Sequence, residues 1–258
     1  MTDRIWAALV LVALCGTLAS AGHRHRLEDH SATVQIRALK PPSNGIINVA
    51  VLISEDTVVI DFAGPWEVFQ DAMFTSKGQP WHGGDDMIMP FHLYTVSDSL
   101  KPVSANGLLL VPNYTFESAP KPQIIVIPAQ SGRSTAQKKW LLENSKTADL
   151  TMSVCTGASM LAAYGLLEHQ KATTHHMALE ELQSKYASVQ FVSGTRFVEN
   201  DKVSTAGGLS SGIDLALHVV ERYYGRAIAQ ATADYMEYKG ELWKNPQYGD
   251  VQQVPAKN

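Results

Sequence analysis

Cysteine is nearly absent. The 258 residues hold only Cys15 and Cys155, which excludes a disulfide framework. There is no long basic run and the net charge is −4, so nothing draws the chain electrostatically to nucleic acid or anionic lipid. The first apolar run, Ile5 to Leu14, is too short to span a bilayer comfortably. No internal repeat is present, and the glycine run from Thr205 to Gly212 lacks the lysine and spacing of a P-loop. The remaining composition, 45% hydrophobic and 18% charged, is that of an ordinary globular chain able to bury one sizeable core.

Residues 1–21 read as a secretory signal peptide, with an uncleaved anchor as the alternative. Arg4 gives a positive start, an apolar stretch follows, and Ala19-Ser20-Ala21 fits a small-x-small cleavage site. Cleavage after Ala21 predicts a periplasmic or secreted protein of 237 residues (258 minus 21) with Cys155 as its lone thiol and no membrane attachment. Residues 22–44 mix charge, histidine and proline without a period and read as a flexible arm or linker. His23, His25 and His30 are irregularly spaced there, so no built metal site is expected.

A single domain is expected over residues 45–240, with residues 241–258 as a C-terminal tail. IINVAVLI (46–53) and PQIIVIP (122–128) are continuous apolar runs rich in β-branched residues, which suit strands buried on both faces. A helix is predicted from about Pro65, strands at MPFHLYTVS and GLLLVPN, and a helix over STAQKKWLLENSKTA. DLTMSVCTGASMLAAYGLL then repeats strand, tight turn and helix, and a long helix is predicted over LSSGIDLALHVVERYYG. The alternation implies an α/β fold with a mostly parallel sheet covered on both faces.

Cys155 falls at the carboxyl end of a predicted strand, where α/β sheets place their ligands. Small neighbours allow a strained corner of the nucleophile-elbow kind, and the following helix start is expected to favour thiolate over thiol. Asp61 follows the first buried strand, so its carboxyl can reach the same sheet edge as acid or base, or else cap the next helix. Thr156 can present its N–H to developing charge and its hydroxyl to substrate or water. His175 can lower a thiol pKa or shuttle a proton, or be a satisfied polar core residue; His176 is the weaker of the pair. The run 205–212 is expected to pack closely against the nucleophile turn.

SVCTGASMLAAYGLLEHQKATTHH, with IDFAGPWEVF before it and STAGGLSSGIDLALHVVERYYG after it, resembles the ThiJ/PfpI superfamily, the class I glutamine amidotransferase-like fold. The resemblance covers roughly residues 46 to 240 and implies a single-domain flavodoxin-like sandwich. It is nearest the branch holding isonitrile hydratase and the sensor domains of AraC-type regulators, where Asp61 matches the acidic position near the thiol and Thr156 follows the cysteine. Protease-like members place histidine after the cysteine. The same resemblance gives Cys155, Asp61, Thr156 and His175 catalytic roles and places Gly157, Ala129, Gln130 and Gly64 against substrate or oxyanion. Two departures stand out: His176 occupies a position usually tryptophan, and PAQSG at 128–132 replaces a Pro-Gly-Gly type turn.

The resemblance implies hydration of a small carbon electrophile through Cys155, most like conversion of an isonitrile to an N-substituted formamide, without metal or organic cofactor. A ligand-binding or redox-sensing protein is the alternative from a different class, since an exposed reactive thiol oxidises readily. A glyoxalase or deglycase activity ranks third, because Asp61 is one methylene shorter than the glutamate it would want. The regulators' helix-turn-helix region is not expected after residue 240, so no nucleic-acid partner is expected. A homodimer is, with Trp66 and Phe69 as possible contacts.

Overall fold

The computed structural model describes residues 37–245 and 252–255; the predicted leader and His23, His25 and His30 lie outside the described residues. The chain runs β1 (Ile47–Leu52), α1 (Val59–Gln70), β2 (Phe91–Ser97), β3 (Val103–Ala105), β4 (Leu108–Leu110), β5 (Tyr114–Thr115), β6 (Ile124–Ile127), α2 (Thr135–Thr147) and β7 (Leu150–Ser153). After one 3-10 turn at Cys155–Gly157 come α3 (Ala158–Ala163), β8 (Lys171–Ala172), α4 (Leu179–Lys185), β9 (Gln190–Ser193), β10 (Phe197–Glu199) and β11 (Val203–Ala206). The helices α5 (Ser211–Tyr224) and α6 (Arg226–Tyr235) and the strand β12 (Gln252–Gln253) complete it.

Seven strands form the central sheet in the order β10-β11-β7-β6-β1-β2-β5. Every neighbouring pair is parallel except β10 with β11. Side chains alternate across the sheet: Val49, Val51 and Ile53 enter a core built with α1, α5 and α6, whereas Ala50 and Leu52 enter one built with α2, α3 and α4. All four residues of β6 are fully buried. Each such isoleucine or valine contributes roughly 1.5–3 kcal/mol, which is why these two runs read so plainly as central strands. The chain leaves β1 for β2 on one side and later adds β6 on the other. That reversal opens a crevice at the carboxyl ends of β1 and β6.

Several boundaries differ from the sequence reading. The first helix starts at Val59, so Asp61 sits inside its first turn and Pro65 lies in its interior, where it removes the amide that would reach the Asp61 carbonyl. GLLLVPN yields only β4, paired antiparallel to β3 off the main sheet. The cause is the Asn106-Gly107 turn, both residues having positive φ (50° and 98°), which folds a tight hairpin. Gly225, at φ 82°, ends α5 and a further helix follows at once.

Packing also extends past both expected domain limits. Leu39 is buried and donates its N–H to the Arg222 carbonyl at 2.9 Å, so the described end of the arm is docked rather than loose. At the other end Trp243 is fully buried and β12 pairs with β9. Among the described residues no helix is long and apolar enough to cross a membrane.

Candidate active site

Three turns converge on the crevice. The turn after β7 carries Cys155 in a left-handed backbone conformation, φ 57°. For a residue with a Cβ that conformation costs roughly 1–2 kcal/mol, so the surroundings must hold it. They do: Val154 N–H donates to the Ile127 carbonyl at 3.0 Å, and Cys155 N–H donates to the Gly207 carbonyl at 2.8 Å. The Thr174 hydroxyl donates to the Cys155 carbonyl at 2.9 Å. Gly157 sets the closeness of the corner to β6, because a Cβ there would stand 2.2 Å from the Ile127 carbonyl oxygen. The glycine run at 205–212 thus packs against the nucleophile turn through Gly207.

Asp61 comes from the first turn of α1 and is fully buried. Its Oδ2 accepts the Ala129 N–H at 3.0 Å, which ties α1 to the turn after β6. Oδ1 has no conventional hydrogen-bond partner. Burial dominates and pushes the carboxyl up to about 6 from an ordinary 3.8; the Ala129 N–H and the neighbouring Cys155 thiol oppose the rise.

The thiol is also pushed up. Burial is the main cause and the Asp61 charge the second, while the N–H groups of Thr156 and Leu209 and the Thr156 hydroxyl stabilise sulfur as thiolate. This corrects the expectation of a thiol lowered by a helix start: α3 has only six residues, and burial together with the Asp61 charge outweighs it. The pair therefore favours a neutral thiol beside an ionisable carboxyl, a base next to its acid.

The other expected site residues take different places. Thr156 is half-buried with both of its donors turned to sulfur. His175 caps a short turn, its Nδ1 accepting the Met177 N–H at 3.3 Å, and its ring lies against Gly208, where a Cβ would sit 2.8 Å from Cδ2. No hydrogen bond joins His175 to Cys155; its ring stacks on exposed His176 at 4.4 Å. The Ala129 N–H is spent on Asp61 and does not face an oxyanion. Gln130 offers no donor to the crevice: its Oε1 accepts from Ser54 Oγ at 2.6 Å and its Nε2 donates to the Leu52 and Pro128 carbonyls. In place of the flexible glycines of the related turn, this side chain ties the turn to β1. Gly64 is a helix-packing residue, since a Cβ there would lie 2.9 Å from Ile213.

Leu209 and Thr174 were not singled out from the sequence. Leu209 has positive φ (46°) directly after two glycines and before a helix, which was the available signal. Val59 and Ile60, just before Asp61, and Leu209, whose N–H faces sulfur, remain exposed to 37%, 40% and 43%. Among the described residues no cluster of three metal-ligating side chains occurs.

A buried carboxyl from one strand-to-helix turn, set against a thiol held on a left-handed corner of another, defines an α/β protein built around a cysteine elbow. A profile of the DJ-1/PfpI family matches residues 47–222, and the chain belongs to that family. Isonitrile hydratase of Pseudomonas putida is 28% identical over 203 residues, covering 74% of this chain and 78% of that protein. The HTH-type transcriptional regulator GbdR of Pseudomonas aeruginosa is 25% identical over 159 residues, which cover 60% of this chain but only 42% of the regulator. Among solved structures, a ThiJ/PfpI family protein from Pseudomonas syringae superposes with a TM-score of 0.64 at 23% identity, covering 85% of this chain and 84% of that one. DJ-1beta of Drosophila melanogaster does so at 0.62 and 14% identity, over 76% and 100%. These structural likenesses carry the flavodoxin-like fold. The family places the chain among cysteine-elbow enzymes and sensors without choosing a reaction.

Proposed function

We propose that the protein hydrates a small carbon electrophile through Cys155, with an isonitrile as substrate and an N-substituted formamide as product. The observation that carries this reading is the Asp61–Cys155 pair, a neutral thiol beside a carboxyl poised near pH 6. At neutral pH the ionised Asp61 takes the thiol proton as sulfur bonds to the terminal isonitrile carbon. The same proton is then delivered to that carbon, leaving a thioimidate on Cys155. Water adds to the thioimidate carbon with proton transfer to nitrogen. The resulting adduct collapses: the C–S bond breaks, the hydroxyl proton passes through Asp61 back to sulfur, and the formamide leaves. The N–H groups of Thr156 and Leu209 hold charge on the departing sulfur.

The reading is tested by following formamide production from a panel of small isonitriles. Cys155→Ala is expected to abolish turnover, and Asp61→Asn to lower kcat roughly 10²–10⁴-fold. No turnover by the wild-type protein, with its thiol shown to be free by labelling, would set isonitriles aside. A redox or ligand sensor would then be favoured by the likeness to GbdR, and sulfenic acid formation at Cys155 would be its readout. Glyoxalase chemistry ranks lower, because no hydrogen bond joins His175 to Cys155. The leader read at residues 1–21 would deliver this activity to the periplasm or the exterior, and amino-terminal sequencing of the mature protein checks that.

A further inference from the structure

A second concavity, on the α2–α3–α4 side of the sheet, has a chemistry unlike the thiol's. It is an open, solvent-facing hollow of about 400 Å³ between Arg133, Lys138, Ser159, Tyr164, Lys185 and Tyr186. That volume falls in the range of small-molecule sites. Its walls are cationic in a chain whose net charge is −4. None of the three cations is ion-paired to a carboxylate among the described residues. One carboxylate lies close by: Asp98 accepts from Oγ of Ser134, itself a lining residue, and acts electrostatically on Tyr164.

Arg133 is held from behind and left open in front. Its Nη1 donates to the Gln130 carbonyl at 2.9 Å and the Gly132 carbonyl at 2.7 Å, and Nη2 donates to Ser159 Oγ at 3.2 Å. Three of the five guanidinium N–H groups are spent in this way, which fixes the plane and leaves Nε–H and one Nη2–H unspent. An anchored guanidinium with two free donors suits a phosphoryl group, and it lacks the entropy cost of ordering a mobile arginine. Lys138 and Lys185 lie over the rings of Tyr164 and Tyr186, with Nζ at 5.3 and 5.6 Å from the centroids, so each ammonium is placed by an aromatic wall. The two tyrosines supply more apolar surface than a bare anion needs.

We propose that this cavity binds a small phosphate monoester with a flat ring body, the phosphoryl group on Arg133 and the lysines and the ring against the tyrosines. The site is separate from the thiol but shares two supports with it. Ser159 belongs to the helix that follows Cys155, and the Gln130 carbonyl belongs to the turn whose Ala129 N–H holds Asp61.

Calorimetric titration of the purified protein with phenyl phosphate and with inorganic phosphate tests the proposal. Saturable one-site binding is expected, tighter for phenyl phosphate, weakened at least about tenfold in Arg133→Gln and in Lys138→Gln, and unchanged in Cys155→Ala. Lys138 is an exposed helix residue, so its variant stays informative if the Arg133 variant folds poorly. Absence of saturable binding, or unaltered affinity in Lys138→Gln, overturns the site. Equal affinity for the two probes overturns the ester assignment, and loss of binding in Cys155→Ala overturns the location. None of these readouts depends on hydratase activity.

Discussion

Asp61 and Glu199 both lose almost all contact with water, the first completely and the second to 8% exposure, yet their neighbours differ in sign. Glu199, on β10, faces two basic groups from α5: Arg222 Nη1 lies 2.9 Å from Oε1, and His218 Nε2 contacts Oε2. His218 reaches on through Nδ1 to the Trp243 carbonyl at 3.1 Å, tying the C-terminal segment to the sheet. Among the described residues Asp61 faces no cation, only the Ala129 N–H and a thiol. Glu199 is thus held between a guanidinium and an imidazole. Asp61, to which we assign a role in the proposed reaction, keeps its proton equilibrium near pH 6 and leaves the fold to bear the desolvation.

The contrast can be broken at its structural end first. Glu199→Ala leaves Arg222 and His218 without their common partner and is expected to lower stability by about 3–5 kcal/mol in chemical denaturation, with the folded fraction retaining the proposed isonitrile turnover. A parallel loss of catalysis per folded molecule would show that the two carboxylates are not separable.

The second comparison concerns pH. The Asp61 pKa is raised on folding, so the folded state binds the proton more tightly than the unfolded chain and the carboxyl opposes folding once ionised. Stability attributable to this group is therefore greatest below pH 4 and falls by about 3 kcal/mol as pH rises from about 4 to about 6. Asp61→Asn is expected to remove that slope, measured as denaturation midpoints against pH. In the wild-type protein kcat/KM rises through pH 6 as the carboxylate forms. An unchanged slope in Asp61→Asn would assign the titration to another group.

Gly157→Ala gives a smaller effect. The new methyl meets the Ile127 carbonyl oxygen, and displacement of the corner costs about 1–3 kcal/mol together with a fall in turnover. The smallest effect sharpens the contrast by way of a third buried carboxylate. Asp214 is paired with Arg196 at 2.7 Å and accepts the Tyr238 hydroxyl at 3.0 Å. Tyr238→Phe is expected to cost about 1 kcal/mol, since the ion pair persists, and to leave the pH profile of turnover untouched.

Much of this was legible in sequence because it rests on short-range pattern. Continuous apolar runs announce β1 and β6, and a cysteine between a strand and small residues announces the corner. Asp61 was legible as a partner because it follows the first of those runs. The state of the thiol was not, since it depends on burial and on a carboxyl 94 positions away in the chain (155 minus 61), which local propensity does not encode. Ala129 and Gln130 were misread for the same reason: a turn's amides can face inward or be consumed within the fold, and only the partners Asp61, Ser54 and Leu52 decide. Leu39 and Trp243 sit in segments whose composition reads as polar tether, and their anchoring depends on distant residues of α5.

The left-handed backbone at Cys155 has a further consequence. That conformation is one glycine adopts freely and cysteine adopts only under constraint, so replacing Cys155 with glycine relaxes the very residue on which the proposed turnover depends. A laboratory lineage selected for heat tolerance alone would drift toward discarding its thiol at this codon. Any campaign to harden the protein must therefore score the reactivity of that thiol in every round.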